Sequence, residues 1–166
     1  MIVLGELIII LVIIIFIAYI VNKIEATKKE INSRMSFKEA LDLIELPIVT
    51  FYQGDKKLNF MLDSGSNLSI IDINAVNNLK LKYVKLNKVS GILGINGETR
   101  DAGFVNLKFS YKHINFDYDF QYLDLSNVVD SLKQDGITIH GILGNQFFVK
   151  YKYVLDFNDL IAYSKK

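Results

Sequence analysis

Hydrophobic and polar positions divide the chain into two regions with different periodicities. Residues 2–21 are almost continuously apolar and are interrupted by Gly5 and Glu6. From residue 48 the pattern changes to alternation, most clearly in residues 114–122, where every second side chain is Ile, Phe or Tyr. Continuous apolar character predicts a helix surrounded by apolar material, whereas alternation predicts strands with one buried face.

The apolar run is long enough to cross a lipid bilayer. Residues 7–21 contain thirteen Leu, Ile, Val or Phe residues. At about −0.3 to −0.6 kcal/mol each, they favour insertion more than Glu6 opposes it near the interface. We therefore predict a transmembrane helix over residues 1–22, with residues 2–21 in the membrane. A cleaved signal peptide fits less well, because no Lys or Arg precedes the run and no small-x-small site follows it. A buried core helix fits least, because too little protein is available to cover it.

Positive residues follow the apolar run, and they predict its orientation. Lys23, Lys28, Lys29 and Arg34 lie after the run, whereas Glu6 and the amino terminus precede it. The positive-inside tendency then places the rest of this single-pass protein in the cytoplasm. Residues 23–45 are predicted to form a helical stalk, in which Ser36 and Glu39 make a capping box and Pro47 stops the helix.

The remaining residues, 46–166, predict a mostly β domain. Turn residues at 54–55, 96–97 and 158–159 separate apolar segments and favour hairpins. The predicted strands are residues 48–52, 57–62, 69–73, 84–95, 98–109, 114–123, 149–157 and 160–163, and the predicted short helices are 74–79 and 127–134. Many short strands with tight turns favour a barrel or a sandwich.

Two short motifs carry the candidate chemistry. In the first, an apolar strand delivers Asp63 into the turn Ser64-Gly65-Ser66, and a second strand follows. In the second, an apolar strand at residues 137–139 is predicted to end in the turn Gly141-Ile142-Leu143-Gly144. A strand that leads directly into a tight turn holds a carboxylate rigidly, although an Asp in such a turn can also be a simple turn cap.

Together these motifs resemble the retropepsin-like aspartic peptidases. Asp63, Ser64, Gly65, Ser66 and Ser69 match the active-site pattern of that family, and Ile142, Leu143 and Gly144 match its hydrophobic-hydrophobic-Gly motif. A glycine-rich segment at residues 91–103 lies between them, where the family has its flap. The resemblance covers roughly residues 46–163 and excludes the N-terminus.

The resemblance implies a closed β barrel that hydrolyses peptide bonds in a protein or peptide substrate. The chemistry needs two carboxylates about one water, and each chain offers one such Asp, so the expected active form is a homodimer with Asp63 of both subunits at the two-fold axis. Ser64 would orient the carboxylate, and the Gly65 amide would donate to it. The expected flap residues are Ile92, Leu93, Gly94, Ile95, Asn96 and Gly97. No cofactor and no metal are expected.

Composition narrows the function further. The chain has 166 residues, a net charge of +1 and no Cys, so nothing indicates nucleic-acid binding, and thiolate catalysis, disulfides and cysteine zinc sites are excluded. His113 and His140 lack metal-ligand spacing and are interpreted as structural, although His140 stands where the family often has an acid.

Several other functions fit the residues less well. The glycines at 91, 94 and 97 are not followed by Lys-Ser/Thr, which disfavours a phosphate loop, and Gly-x-Ser-x-Gly is absent. The main alternative to a peptidase is a non-catalytic module of the same fold that binds or dimerises while tethered to the membrane. An unrelated β barrel acting as a membrane adaptor is a further alternative.

Overall fold

The structure is a computed structural model that describes residues 11–23, 36–85, 103–134 and 136–165. The chain divides into two compact units, Met1–Ser33 and Arg34–Lys166. In the first unit, residues 11–23 form helix α1, whose large apolar side chains are exposed, for example Ile15 and Phe16. Among the described residues, no helix combines the length and the apolar character needed to span a membrane. The predicted span lies partly in residues 1–10, outside the described residues.

The second unit is mostly β. Its helices are α2 (Phe37–Ile44), α3 (Ile73–Asn78), α4 (Ser126–Gln134) and α5 (Asn145–Tyr151). Its strands are β1 (Ile48–Gln53), β2 (Lys56–Leu62), β3 (Ile70–Asp72), β4 (Tyr83–Lys85), β5 (Gly103–Tyr111), β6 (Ile114–Leu123), β7 (Gly141–Leu143), β8 (Tyr153–Asp156) and β9 (Ile161–Ser164).

Six of these strands close into a barrel. The main sheet has the order β1-β2-β7-β3-β6-β5-β4, and an additional pairing of β1 with β5, through Tyr52 and Ser110, closes the barrel. β4 extends the sheet beyond β5, while β8 and β9 form a separate two-stranded sheet. The predicted mostly β, closed-barrel architecture is therefore confirmed.

The barrel core is rich in aromatic side chains because the alternation of β5 and β6 directs one face of each strand inward. Phe109 and Phe116 are directly paired across the two strands and pack ring to ring. Phe51 of β1 contacts both rings and also Phe147 of α5. The core therefore ties the barrel wall to the helix that follows β7.

Helix α2 begins at the predicted capping box. The Ser36 hydroxyl accepts from the Glu39 amide at 3.2 Å, and the Glu39 carboxylate accepts from the Ser36 amide at 2.9 Å. The helix ends at Glu45 in a left-handed conformation, two residues before Pro47. Phe37 and Ala40 are buried within the second unit.

One predicted strand, 137–139, is wrong, and the predicted strand 149–157 is correct only over β8 (Tyr153–Asp156). Residues 137–140 form no strand, and the three-residue strand is Gly141–Leu143 itself. Ile137 and Ile139 are nevertheless buried in a second hydrophobic cluster, which explains their apolar character. Residues 149–151 belong to α5, and Val149 is 78% exposed. The predicted hairpin turn at Asn96-Gly97 lies outside the described residues, although β4 and β5, which flank it, pair antiparallel.

Candidate active site

Strand β7 lies between β2 and β3, and this placement brings the two sequence motifs together. β2 and β7 are parallel, with Leu62 paired to Leu143. β3 and β7 are antiparallel, with Ile70 paired to Ile142. The ladder continues one residue past β2, because the Asp63 amide donates to the Leu143 carbonyl at 2.9 Å. The Asp63 backbone is therefore fixed to the middle strand.

The turn after Asp63 orients its carboxylate. The Gly65 amide donates to Asp63 Oδ1 at 2.8 Å, and the Ser66 amide donates to the Asp63 carbonyl at 3.2 Å. This is an Asx turn, in which the side chain accepts from the backbone two residues later. Asp63 is half-buried, whereas Ser64 and Gly65 are exposed. The carboxylate therefore lies at a surface that a substrate or a second chain can reach.

Gly144 packs the second motif against this turn at close backbone distance. A Cβ atom at Gly144 would lie 2.5 Å from the Leu68 carbonyl oxygen and 2.7 Å from that of Ser66. The Gly144 amide donates to the buried Ser69 hydroxyl at 3.0 Å. Only glycine fits this contact without displacing the turn.

The start of α5 also holds the turn in place. Gly144 is the N-cap of α5. The Asn145 amide donates to the Ser66 carbonyl at 2.8 Å, and its side-chain Nδ2 donates to the Ser64 carbonyl at 2.7 Å. The first amides of a helix have no partner within the helix, so the turn supplies one of their acceptors.

The structure thus brings Asp63, Ser64, Gly65 and Ser66 into one cluster with Ile142, Leu143 and Gly144. The predicted flap residues, Ile92 to Gly97, lie outside the described residues. Sequence reasoning missed Asn145. An available signal was that Asn145 directly follows Gly144, the last residue of the second motif.

A buried polar network lies behind the site, at the start of β7. The Asn59 amide donates to His140 Nδ1 at 3.1 Å, and the Asn59 carbonyl accepts from the His140 amide at 2.7 Å. Burial is the largest influence on the pKa of His140 and lowers it, against the nearby Asp72 carboxylate, which favours the protonated ring. The interpretation of His140 as structural agrees with these contacts.

The chemistry available here is that of a single carboxylate that accepts a hydrogen bond from the Gly65 amide and whose backbone is bonded on both sides. In the part of the chain that is described, no three His, Cys, Asp or Glu side chains are grouped to hold a metal ion. A carboxylate with this support can accept a proton or a hydrogen bond from water.

Comparison with known proteins identifies the family. Residues 49–147, more than half of the chain, match the family model described as aspartyl protease. The chain therefore belongs to the aspartyl protease family. A search of curated proteins finds no match.

Solved structures with similar folds include three proteases or protease-like domains. EIAV protease complexed with the inhibitor HBY-793 is 20% identical, with 66% of this chain and 90% of that chain covered and a TM-score of 0.48. The retroviral protease-like domain of Ddi1 from Leishmania major is 8% identical, with 73% and 89% covered and a TM-score of 0.49. A retropepsin-like aspartic protease from Rickettsia conorii is 16% identical, with 66% and 75% covered and a TM-score of 0.40.

Proposed function

We propose that the protein is a retropepsin-like aspartic endopeptidase whose catalytic Asp63 acts in a dyad formed across a homodimer. The proposal rests on two hydrogen bonds that hold the backbone and the carboxylate of Asp63 in place. Its amide is bonded to the Leu143 carbonyl, and its carboxylate oxygen accepts from the Gly65 amide. The aspartyl protease match covers this whole site.

The dimer follows from the chemistry. Hydrolysis by this route requires one carboxylate to take a proton from water and another to polarise the scissile carbonyl. One chain supplies Asp63, which is half-buried beside exposed Ser64 and Gly65. A second copy of the same surface, related by a two-fold axis, completes the pair. Two adjacent carboxylates then share one proton over a range of pH.

The substrate in this proposal is an extended peptide segment. It would pair with the backbone around the site, and apolar pockets would select its side chains. Residues Ile92 to Gly97 would close over the substrate and exclude water. Ser64 would orient the Asp63 carboxylate and bridge to its mate in the partner.

We further propose that residues 2–21 anchor the protein in a membrane. The proposal rests on their continuous apolar sequence and on the exposed apolar side chains of α1. The Lys and Arg residues that follow would place the protease domain in the cytoplasm. Confinement to a bilayer raises the effective concentration of subunits and would favour the dimer.

The catalytic proposal is tested by comparing the full chain with Asp63→Asn against a peptide library from mildly acidic to neutral pH. The wild-type should make cuts that an aspartic-peptidase inhibitor blocks, and the variant should lose at least about a hundredfold in rate. Asp55→Asn, at the exposed turn on the other end of β2, is the matched control and should cleave normally. Cleavage unchanged in Asp63→Asn would end the assignment, and dimers without cleavage would support the non-catalytic alternative.

The anchor is tested by alkaline extraction of membranes that contain the full chain. Ile14→Lys combined with Phe16→Lys should release the protein, since each charge opposes insertion by about 3 kcal/mol near the centre of a span. Leu43→Lys, at an exposed position of α2, is the control and should stay in the membrane. Release of the wild-type protein by the same extraction would contradict the proposal.

A further inference from the structure

His140 connects the two strands that support the candidate catalytic turn. It directly precedes β7, and its backbone amide and ring both bond to Asn59 of β2. The His140 carbonyl in turn accepts from the Asp72 amide of β3 at 2.9 Å. One residue therefore joins β7 to both of its neighbours at the end opposite Leu143.

Both polar atoms of the Asn59 side chain are hydrogen-bonded in this arrangement. Asn59 is 3% exposed, its Oδ1 accepts from the Thr50 hydroxyl at 2.7 Å, and its Nδ2 donates to the Thr138 carbonyl at 2.9 Å. Its backbone amide lies against His140 Nδ1. A buried amide that loses its acceptor carries the full cost of desolvation, so this bond stabilises the junction.

The ring can accept this bond only while Nδ1 has a free lone pair. A neutral imidazole with Nδ1 as acceptor carries its proton on Nε2, whereas a protonated ring donates from both nitrogens. Protonation would therefore place two N–H groups, those of the ring and of Asn59, against each other.

The effect of this clash can reach Asp63 through β7. This strand has only three residues, Gly141–Leu143, between His140 and the turn. Its last carbonyl, that of Leu143, accepts from the Asp63 amide. A shift of β7 relative to β2 thus moves the acceptor that fixes the Asp63 backbone.

We propose that His140 is a positioning residue that holds β7 against β2 while its ring is neutral, so that acid weakens the support of Asp63. His140 lies outside the proposed Asp63 dyad. The consequence of this role for cleavage rests on the proposed peptidase function, whereas its consequence for the Asp63 backbone does not.

Burial and the charged groups around the ring set the pH at which His140 becomes protonated. Asp72 of β3 faces it and favours the proton. Lys56 and Lys57 of β2 line the same cavity as His140, which is about 400 Å³ in volume. α3 contributes uncharged Ala75 and Asn78 to this cavity. Burial of the ring opposes protonation and is the largest influence on its pKa.

The decisive variant is His140→Asn in the full chain. Its side-chain oxygen can accept from the Asn59 amide as Nδ1 does, but it does not titrate. His140→Leu removes the acceptor at every pH, and His113→Asn, at the exposed β5–β6 turn, controls for the other histidine. One pH unit below the titration midpoint of His140, about a tenth of the rings remain neutral. At that pH the cleavage rate of the wild-type should be about tenfold lower than that of His140→Asn.

A second measurement separates this proposal from the peptidase assignment. Amide NMR of the full chain carrying Asp63→Asn removes both proteolysis and the titration of residue 63 itself. The amides of residues 59 and 63 should shift with the midpoint of the His140 ring, and this transition should vanish when His140→Asn is added. The proposal is overturned if the amide signal of residue 63 does not shift with the titration of the His140 ring. It is also overturned if cleavage falls at low pH in His140→Asn as it does in the wild-type. If no form cleaves at any pH, the peptidase assignment fails, and the NMR titration still decides the role of His140.

Discussion

Gly144→Ala is expected to destabilise the protein at the contact between the two motifs. The added Cβ would lie 2.5 Å from the Leu68 carbonyl oxygen, 2.7 Å from that of Ser66 and 2.8 Å from the Leu68 carbonyl carbon. These are backbone atoms, so no side-chain rotation relieves the overlap. Ordinary contact requires the turn to move away by about 1 Å.

The expected magnitude follows from what that movement disrupts. Overpacking typically costs about 1–3 kcal/mol. The movement also strains the hydrogen bonds from the Gly144 amide to Ser69 and from the Asn145 amide to Ser66, each contributing about 1 kcal/mol net. We expect a loss of about 2–4 kcal/mol in the free energy of unfolding, or about 10 °C in Tm for a domain of this size.

The assay is urea denaturation followed by far-UV circular dichroism, because the chain contains no Trp. Gly54→Ala is the control: its φ is +56° and nothing lies within 4 Å of the added Cβ, so only the left-handed backbone is penalised, by about 1 kcal/mol. Gly144→Ala should also reduce cleavage, whereas Gly54→Ala should not. If Gly144→Ala costs no more than Gly54→Ala, the close contact between the motifs is refuted.

Three further predictions concern the same domain. Ser69→Ala leaves the buried Gly144 amide without its acceptor and should lower the free energy of unfolding by about 1–3 kcal/mol in urea titrations, whereas Ser126→Ala, outside the site, serves as control. In the folded protein the pKa of His140 lies below its ordinary value of 6.5, so between these two pKa values the unfolded chain binds more protons. The free energy of unfolding should therefore be highest above pH 6.5 and fall as the pH drops towards the folded pKa. His140→Asn should remove this part of the pH dependence. Phe147→Ala should cost about 3–5 kcal/mol in the same measurement, because this fully buried ring contacts Phe51, Phe109 and Phe116, and a loss below about 1 kcal/mol would contradict the packing.

The strands with strict alternation were predictable from sequence. β6 contains five apolar side chains at every second position from Ile114, and the structure buries that face. The β1–β2 hairpin was also predictable, because Gly54 and Asp55 mark its turn between two apolar segments. Local turn chemistry and period-two burial were sufficient in both cases.

The errors near β7 have a different origin. Ile137 and Ile139 alternate as the residues of a strand do, but they pack in a separate hydrophobic cluster. The Thr138 carbonyl accepts from the side chain of Asn59 and not from the backbone of a neighbouring strand. Gly141 is a weak strand former by propensity, yet it pairs with β2 and β3. The close approach of β3 requires glycine at this position, since a Cβ there would lie 2.3 Å from the Ile70 carbonyl oxygen. Nonlocal backbone packing therefore decided the strand, and local sequence patterns do not encode it.

The site was predictable only in part for the same reason. Asp63 and its turn are a local pattern, so the sequence predicts them directly. The contacts of Asn145 with the Ser64 carbonyl and of Asn59 with His140 each join residues 81 positions apart. Such pairs depend on the order of strands in the sheet, which a single sequence does not reveal.

The central claim is that each chain brings one catalytic Asp63 and that two chains complete the site. Co-expression of wild-type and Asp63→Asn full chains in varied proportions, followed by a cleavage assay at fixed total protein, tests it most directly. If only the wild-type homodimer is active, an equal mixture should retain about a quarter of the activity, since random pairing makes activity follow the square of the wild-type fraction. Activity of about one half, proportional to the wild-type fraction, would show that one chain suffices and would contradict the account.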